Sequence, residues 1–148
     1  MTKNIKNLTG AELKKQSKAL DVKKDFTVEI GGEEYKLQHD VTFRKTKQIK
    51  LIEDLIEFFS AGAEKPEILE QATPYTALLV IKHFTTLEVP NELEDALILL
   101  GVLIDLEVLD KIIEKMPEEE TKKLFDVLTE TVENMSKGFD NTEQEKGE

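Results

Sequence analysis

Ala96-Leu97-Ile98-Leu99-Leu100-Gly101-Val102-Leu103-Ile104 is the most apolar run in this 148-residue chain, and its reading decides the fold. Wound as a helix, these nine residues put apolar side chains on every side, the pattern of a segment buried all round. Nine residues are too few to cross a bilayer, which takes about 20. Asp105 and Glu107 then restore an amphipathic pattern that Leu106, Val108, Leu109, Ile112 and Ile113 carry onward. The run therefore reads as a central core helix ending near Met116, with Gly101 as the place where it could break. The competing reading is a helix whose second face is covered only in a complex.

Outward from this run, the helix boundaries are marked in both directions. Met116-Pro117-Glu118-Glu119-Glu120 stops the central helix and starts the last one, with its acids where the helix dipole favours them. Leu124, Phe125, Leu128, Val132 and Met135 line the inner side of that last helix, and Lys137-Gly138 reads as its C-cap. On the other side, Asn91-Glu92-Leu93-Glu94 has the form of a capping box. Before it, Thr73-Pro74 predicts a helix with Thr73 as N-cap, carrying Ala77, Leu78, Val80, Ile81 and Phe84 and ending by Val89-Pro90. Pro66 to Glu70 reads as a short turn. A further helix is expected from Phe43 to about Ser60, with Ile49, Ile52, Leu55, Ile56 and Phe59 at helical spacing.

Between Asp25 and Gln38 the period changes from helical to two. Phe26, Val28 and Ile30 alternate with polar residues, Gly31-Gly32 follows, and Tyr35 and Leu37 alternate again. Two glycines between alternating runs predict a two-residue hairpin, whose primed turn needs positive φ. The register then pairs Ile30 with Glu33, Val28 with Tyr35 and Phe26 with Leu37, on one face. Thr9-Gly10-Ala11-Glu12 opens a short helix that runs to about Leu20.

The fold class is thus α+β, mostly α: an N-terminal β-hairpin followed by a compact bundle of four to five helices. Residues 9–138 form a single mostly helical domain with the hairpin at 25–38. Residues 1–8 are expected as a flexible basic leader, and 139–148 as a disordered tail.

Composition narrows the function classes. The chain has no cysteine, so disulfides and thiolate metal sites are excluded. Neither a signal peptide nor a transmembrane span is legible, and the expected place is the cytoplasm. The net charge of −11 is uneven, with +5 on residues 1–50 and −16 on residues 51–148. The acidic remainder would repel a polyanion, so nucleic acid is disfavoured. A basic-surfaced partner, or contacts between the unlike ends of two copies, fits the asymmetry at least as well, and a plain solvated surface explains it most simply.

No catalytic constellation is legible. His39 and His83 lack metal-type spacing. Gly31-Gly32 is explained by the hairpin, and no serine lies in a nucleophile elbow. The reading is of a non-enzymatic protein with no cofactor and no metal. The candidate contact residues are Phe43, Arg44, Lys45, Lys47 and Lys50, a basic helix start whose order opposes the macrodipole.

The sequence order also carries a resemblance. A basic leader, strand–Gly-Gly–strand from Phe26 to Leu37, Val41-Thr42-Phe43-Arg44-Lys45-Thr46 entering a helix, and an acidic helical remainder resemble the tail assembly chaperones of long-tailed phages and prophages of Gram-positive hosts. The resemblance covers roughly Lys3 to Gly138 and carries over no individual functional residue. It implies a helper in the host cytoplasm that binds the tape measure protein, with the tail tube protein and self-association as further partners and no membrane. It also implies, in many such systems, a longer frameshifted second product. The alternatives are a small structural or tail-completion virion protein and a small nucleic-acid-binding phage regulator.

Overall fold

Two glycines shape the front of the molecule. Gly31 and Gly32 both hold a left-handed backbone, with φ of 61° and 82°. They form the primed turn that joins β1 (Lys23–Ile30) to β2 (Glu33–Asp40). The register is the expected one: Ile30 opposite Glu33, Val28 opposite Tyr35 and Phe26 opposite Leu37. Val28 is buried, and Phe26, Ile30 and Leu37 are packed against the core. Tyr35 stays 48% exposed, and its hydroxyl donates to Glu33 at 3.0 Å. The computed structural model describes residues 5–146, the last helix by its backbone alone from Gly138 onward. Residues 1–4 of the expected leader and 147–148 of the expected tail lie outside the described residues.

An isolated two-stranded ribbon is marginal in water, and here two elements support it. α5 (Leu109–Lys115) packs on β1, and the Lys111 ammonium lies 3.4 Å from the Glu29 carbonyl. The outer edge of β2 is met by Thr85 and Thr86. His39 bridges Thr85, the Thr86 N–H donates to the Gln38 carbonyl at 2.9 Å, and the Gln38 N–H donates to Thr86 Oγ1 at 3.0 Å. The sequence predicts helix up to Val89-Pro90, but α3 (Ala72–Phe84) ends five residues earlier. Thr85 turns extended (φ −132°, ψ 172°) to reach the sheet edge.

The helices correct the expectation about the centre. α3 is the buried helix: Leu78, Leu79, Val80 and Ile81 are consecutive and all buried, so every side of it is covered. It packs against α2 (Lys45–Glu64), the 3-10 turn Pro66–Gln71, α4 (Leu93–Asp105) and α5. The Ala96–Ile104 run lies in α4 and is buried on one side only, through Ala96, Leu100 and Leu103. Its other side keeps Ile98 at 68% and Val102 at 45% exposure. Glu94, Asp95 and Asp105 fall on that same side by helical spacing and hold it in water.

The chain breaks after α4 at Glu107, and Gly101 sits undisturbed inside the helix. Glu107 has φ 58°; its N–H donates to the Ile104 carbonyl, and the Val108 N–H donates to the Leu103 carbonyl, each at 3.0 Å. These are the two bonds of a Schellman motif, closed by burial of both Val108 and Leu103. A glutamate occupies the position that usually holds glycine.

Other boundaries shift for local reasons. The 3-10 turn runs directly into α3, so Gln71 precedes the helix and Thr73 lies inside its first turn without capping it. Pro74 is tolerated there because first-turn N–H groups have no helical partner. Glu92 precedes α4 with no side-chain cap, so the expected capping box at Asn91 does not form. α1 (Gly10–Lys18) does begin with Thr9 Oγ1 accepting from the Glu12 N–H at 3.2 Å.

α2 runs four residues past Ser60 and turns Leu51, Leu55, Phe58 and Phe59 inward. Ile49 and Ile56, expected on the apolar side, remain exposed. α6 (Glu118–Lys146) passes through Gly138 without stopping, so the segment expected as a disordered tail is helical backbone to Lys146. An interior glycine costs a helix only about 1 kcal/mol, and Glu143, Gln144, Glu145 and Lys146 beyond it are good helix formers.

Candidate protein-docking surface

The basic helix start is the first place to look for a contact. Phe43 is not available for one: it is buried and stacks on Phe84, with ring centroids 4.2 Å apart. The sequence presents it as an aromatic beside four bases, and the structure corrects this to a core residue that seats the start of α2 on the end of α3. Arg44 donates to the Ser17 hydroxyl (3.1 Å) and carbonyl (2.6 Å) and pairs with Asp21. Lys47 pairs with Asp40, whose side chain is almost wholly buried. Two of the four cations therefore answer carboxylates from neighbouring segments, which offsets the unfavourable dipole order. Lys45 and Lys50 are exposed and make no ion pair among the described residues.

A second polar cluster ties α2 to α3. Asp54 Oδ2 accepts from the Lys82 ammonium at 3.0 Å and lies 2.7 Å from His83 Nε2. Burial pushes the His83 imidazole below its ordinary value, the Asp54 hydrogen bond and charge oppose that shift, and Lys82 and Lys47 add to it. Nearby, Tyr75 stacks on Phe58 at 4.6 Å, and burial with the charges of Asp54 and Glu57 pushes its hydroxyl up to about 12. Among the described residues no group of three or more His, Asp or Glu side chains is placed to hold a metal ion, and no helix is long and apolar enough to cross a membrane.

The outer side of α4 carries an exposed apolar row. Ile98, Val102 and Leu106 follow one another at intervals of four and are all exposed, with Ile104 exposed on the flank. Glu94 lies one turn before Ile98, Asp95 beside it and Asp105 just past Val102, so acids rim the row at both ends. Glu94 has one distant cation, Lys65, at 4.0 Å. From Phe84 to Asp110 the chain holds seven acids and no lysine or arginine. Gly101 has open space where a Cβ would stand, so a partner backbone can approach closely there.

Apolar side chains are also exposed on α2, at Ile49 and Ile56, but Lys45, Lys50, Glu53 and Glu57 surround them with both signs of charge. A groove of about 270 Å³ between the start of α3 and α6 is lined by Thr73, Thr76, Phe125 and Val132. Neither feature combines an apolar row with a single sign of charge as α4 does. A run that is apolar on all sides shows no preferred face in sequence, so the outward side of α4 was legible there only as the competing reading of a helix covered in a complex. The missing signal was the spacing of Glu94, Asp95 and Asp105 to one side of it.

A family model described as YomO matches residues 11–148. No curated protein and no solved structure matches the chain.

Proposed function

This chain belongs to the YomO family, a phage-associated family, and we propose that it is a tail assembly chaperone, a non-enzymatic helper working in the host cytoplasm. Its client in this reading is the tape measure protein, which it binds and keeps soluble while the tail is built. The observation that carries the reading is the acid-rimmed apolar row of α4. A chaperone of a long helical client needs an apolar strip that can take helix faces in turn, with charge around it to stay soluble when empty. Burying a fully exposed Ile or Val side chain is worth about 1.5–3 kcal/mol. A stable interface covers about 800 Å² on each partner, so the row supplies the centre of a contact and the client's charges the rim. The internal pairing of Arg44 and Lys47 supports a protein client over a polyanion.

Co-expression with a tape measure protein of a long-tailed phage tests the reading. Wild type should raise that protein's soluble fraction, and Ile98→Glu/Val102→Glu should not, with both folded by circular dichroism. No gain in solubility with wild type, together with salt-resistant binding to duplex DNA, overturns the reading. Recovery of the chain in purified particles would make it a virion subunit instead.

A further inference from the structure

The N-terminal arm, residues 5–22, is attached to the body yet packs almost none of its apolar side chains. α1 has no buried residue. Ile5 is 94% exposed, and Leu8, Leu13, Leu20 and Val22 are all exposed as well. Leu13 lies in α1 and Leu20 just past its end. A nine-residue helix is too short to hold itself in water without packing. What fixes the arm is its far end, where Arg44 grips Ser17 and Asp21 and the Val41 N–H donates to the Val22 carbonyl at 3.0 Å. The arm is also basic: residues 5–24 hold six lysines against Glu12 and Asp21.

The arm and the α4 row are opposite in sign and alike in being uncovered. Within one molecule the arm lies where the Arg44 clamp holds it, and both surfaces stay open to solvent. Two α4 rows set against each other would bring Glu94, Asp95 and Asp105 face to face with their own copies, which like-charge repulsion disfavours. The α2 row, rimmed by both signs, offers the lysines no such complement. We propose that the N-terminal arm of one copy docks on the α4 row of a second copy, with Leu13 and Leu20 over Ile98 and Val102 and the lysines over the acidic rim. The contact joins unlike surfaces, so it closes reciprocally into a dimer or builds larger rings or open chains of subunits. It stands independently of the client, although it covers the same row, so a client would have to displace the arm.

Mixing two variants tests the proposal. Leu13→Glu/Leu20→Glu spoils the arm, and Ile98→Glu/Val102→Glu spoils the row; all four positions are exposed, so both should fold, which circular dichroism checks. Light scattering on the full chain, at concentrations up to about 1 mM, should show wild type at two or more times the chain mass, falling as salt is raised. Each variant alone should run as a monomer. Their equimolar mixture should double in mass and stop there, because one intact arm meets one intact row. A monomeric wild type, a variant that still self-associates alone, or a mixture that stays monomeric overturns the proposal. A monomeric wild type that still solubilises the client would end the arm contact and leave the chaperone reading standing.

Discussion

Gly62 and Gly101 lie inside helices and look alike in sequence, but substitution should affect them in opposite directions. A Cβ at Gly62 would stand 2.2 Å from a Leu69 side-chain carbon, because the 3-10 turn lies on α2 there. Gly62→Ala must displace Leu69 and should cost about 1–2 kcal/mol, an overpacking penalty that outweighs the helix gain. At Gly101 a Cβ meets nothing within 4 Å. Gly101→Ala should therefore stabilise the fold by about 0.5–1 kcal/mol, the ordinary advantage of alanine over glycine in a helix. Urea midpoints of the two variants measure both signs, and equal signs would contradict the packing. The same scale shows where sequence reasoning stops. Gly101 suggests a helix break and Glu107 does not, yet the break is at Glu107, since the Schellman bonds and the burial of Val108 outweigh the strain of a left-handed glutamate. Phe43 was illegible for a related reason: its partner Phe84 is 41 residues away in sequence, and nothing local announces the stack.

Among the elements, the hairpin was the most legible, because Gly31-Gly32 sets the turn and the turn sets every pair down the ladder. Its packing should separate neighbouring residues sharply. Val28→Asp buries an unpaired carboxylate and should cost more than about 2 kcal/mol. Thr27→Asp, on the solvent side, should stay within about 0.5 kcal/mol; matching losses in urea would mean that the wrong face is buried. The tie between α2 and α3 should show in pH. His83 has its folded value lowered, first by burial, so below its unfolded value of about 6.5 the unfolded chain binds the proton more readily. Stability is then fully present above that pH and declines as pH falls toward the lowered folded value. Melts at pH 7.5 and 5.5 should differ more in wild type than in His83→Gln. A wild-type midpoint that rises on acidification would reverse the assignment. The α2–α3 tie was not legible, because Asp54, Lys82 and His83 come together only once two helices pack.

For the whole molecule, the uneven charge was readable from the first fifty residues, and its structural meaning was not. The basic third is the arm, the hairpin and a helix start whose cations are partly paired, and the acidic remainder includes α4 with its uncovered apolar row. The seal between Gln38 and Thr86 has a consequence for the order of folding. These residues are 48 apart, and closing a loop of that length costs about 3 kcal/mol by chain entropy. A hairpin can form in about 1–10 μs, long before α2 and α3 have brought Thr86 into place. During that interval β2 presents an open edge, the kind of surface on which chains pair wrongly. Amide exchange should report it: the Gln38 and Thr86 amides should open together with the interior of α3, at the free energy of global unfolding, rather than fraying with the hairpin tip. Thr86→Val removes the oxygen that accepts from Gln38 and should release that amide alone, leaving the Thr86 amide protected and the late-closing edge half fastened.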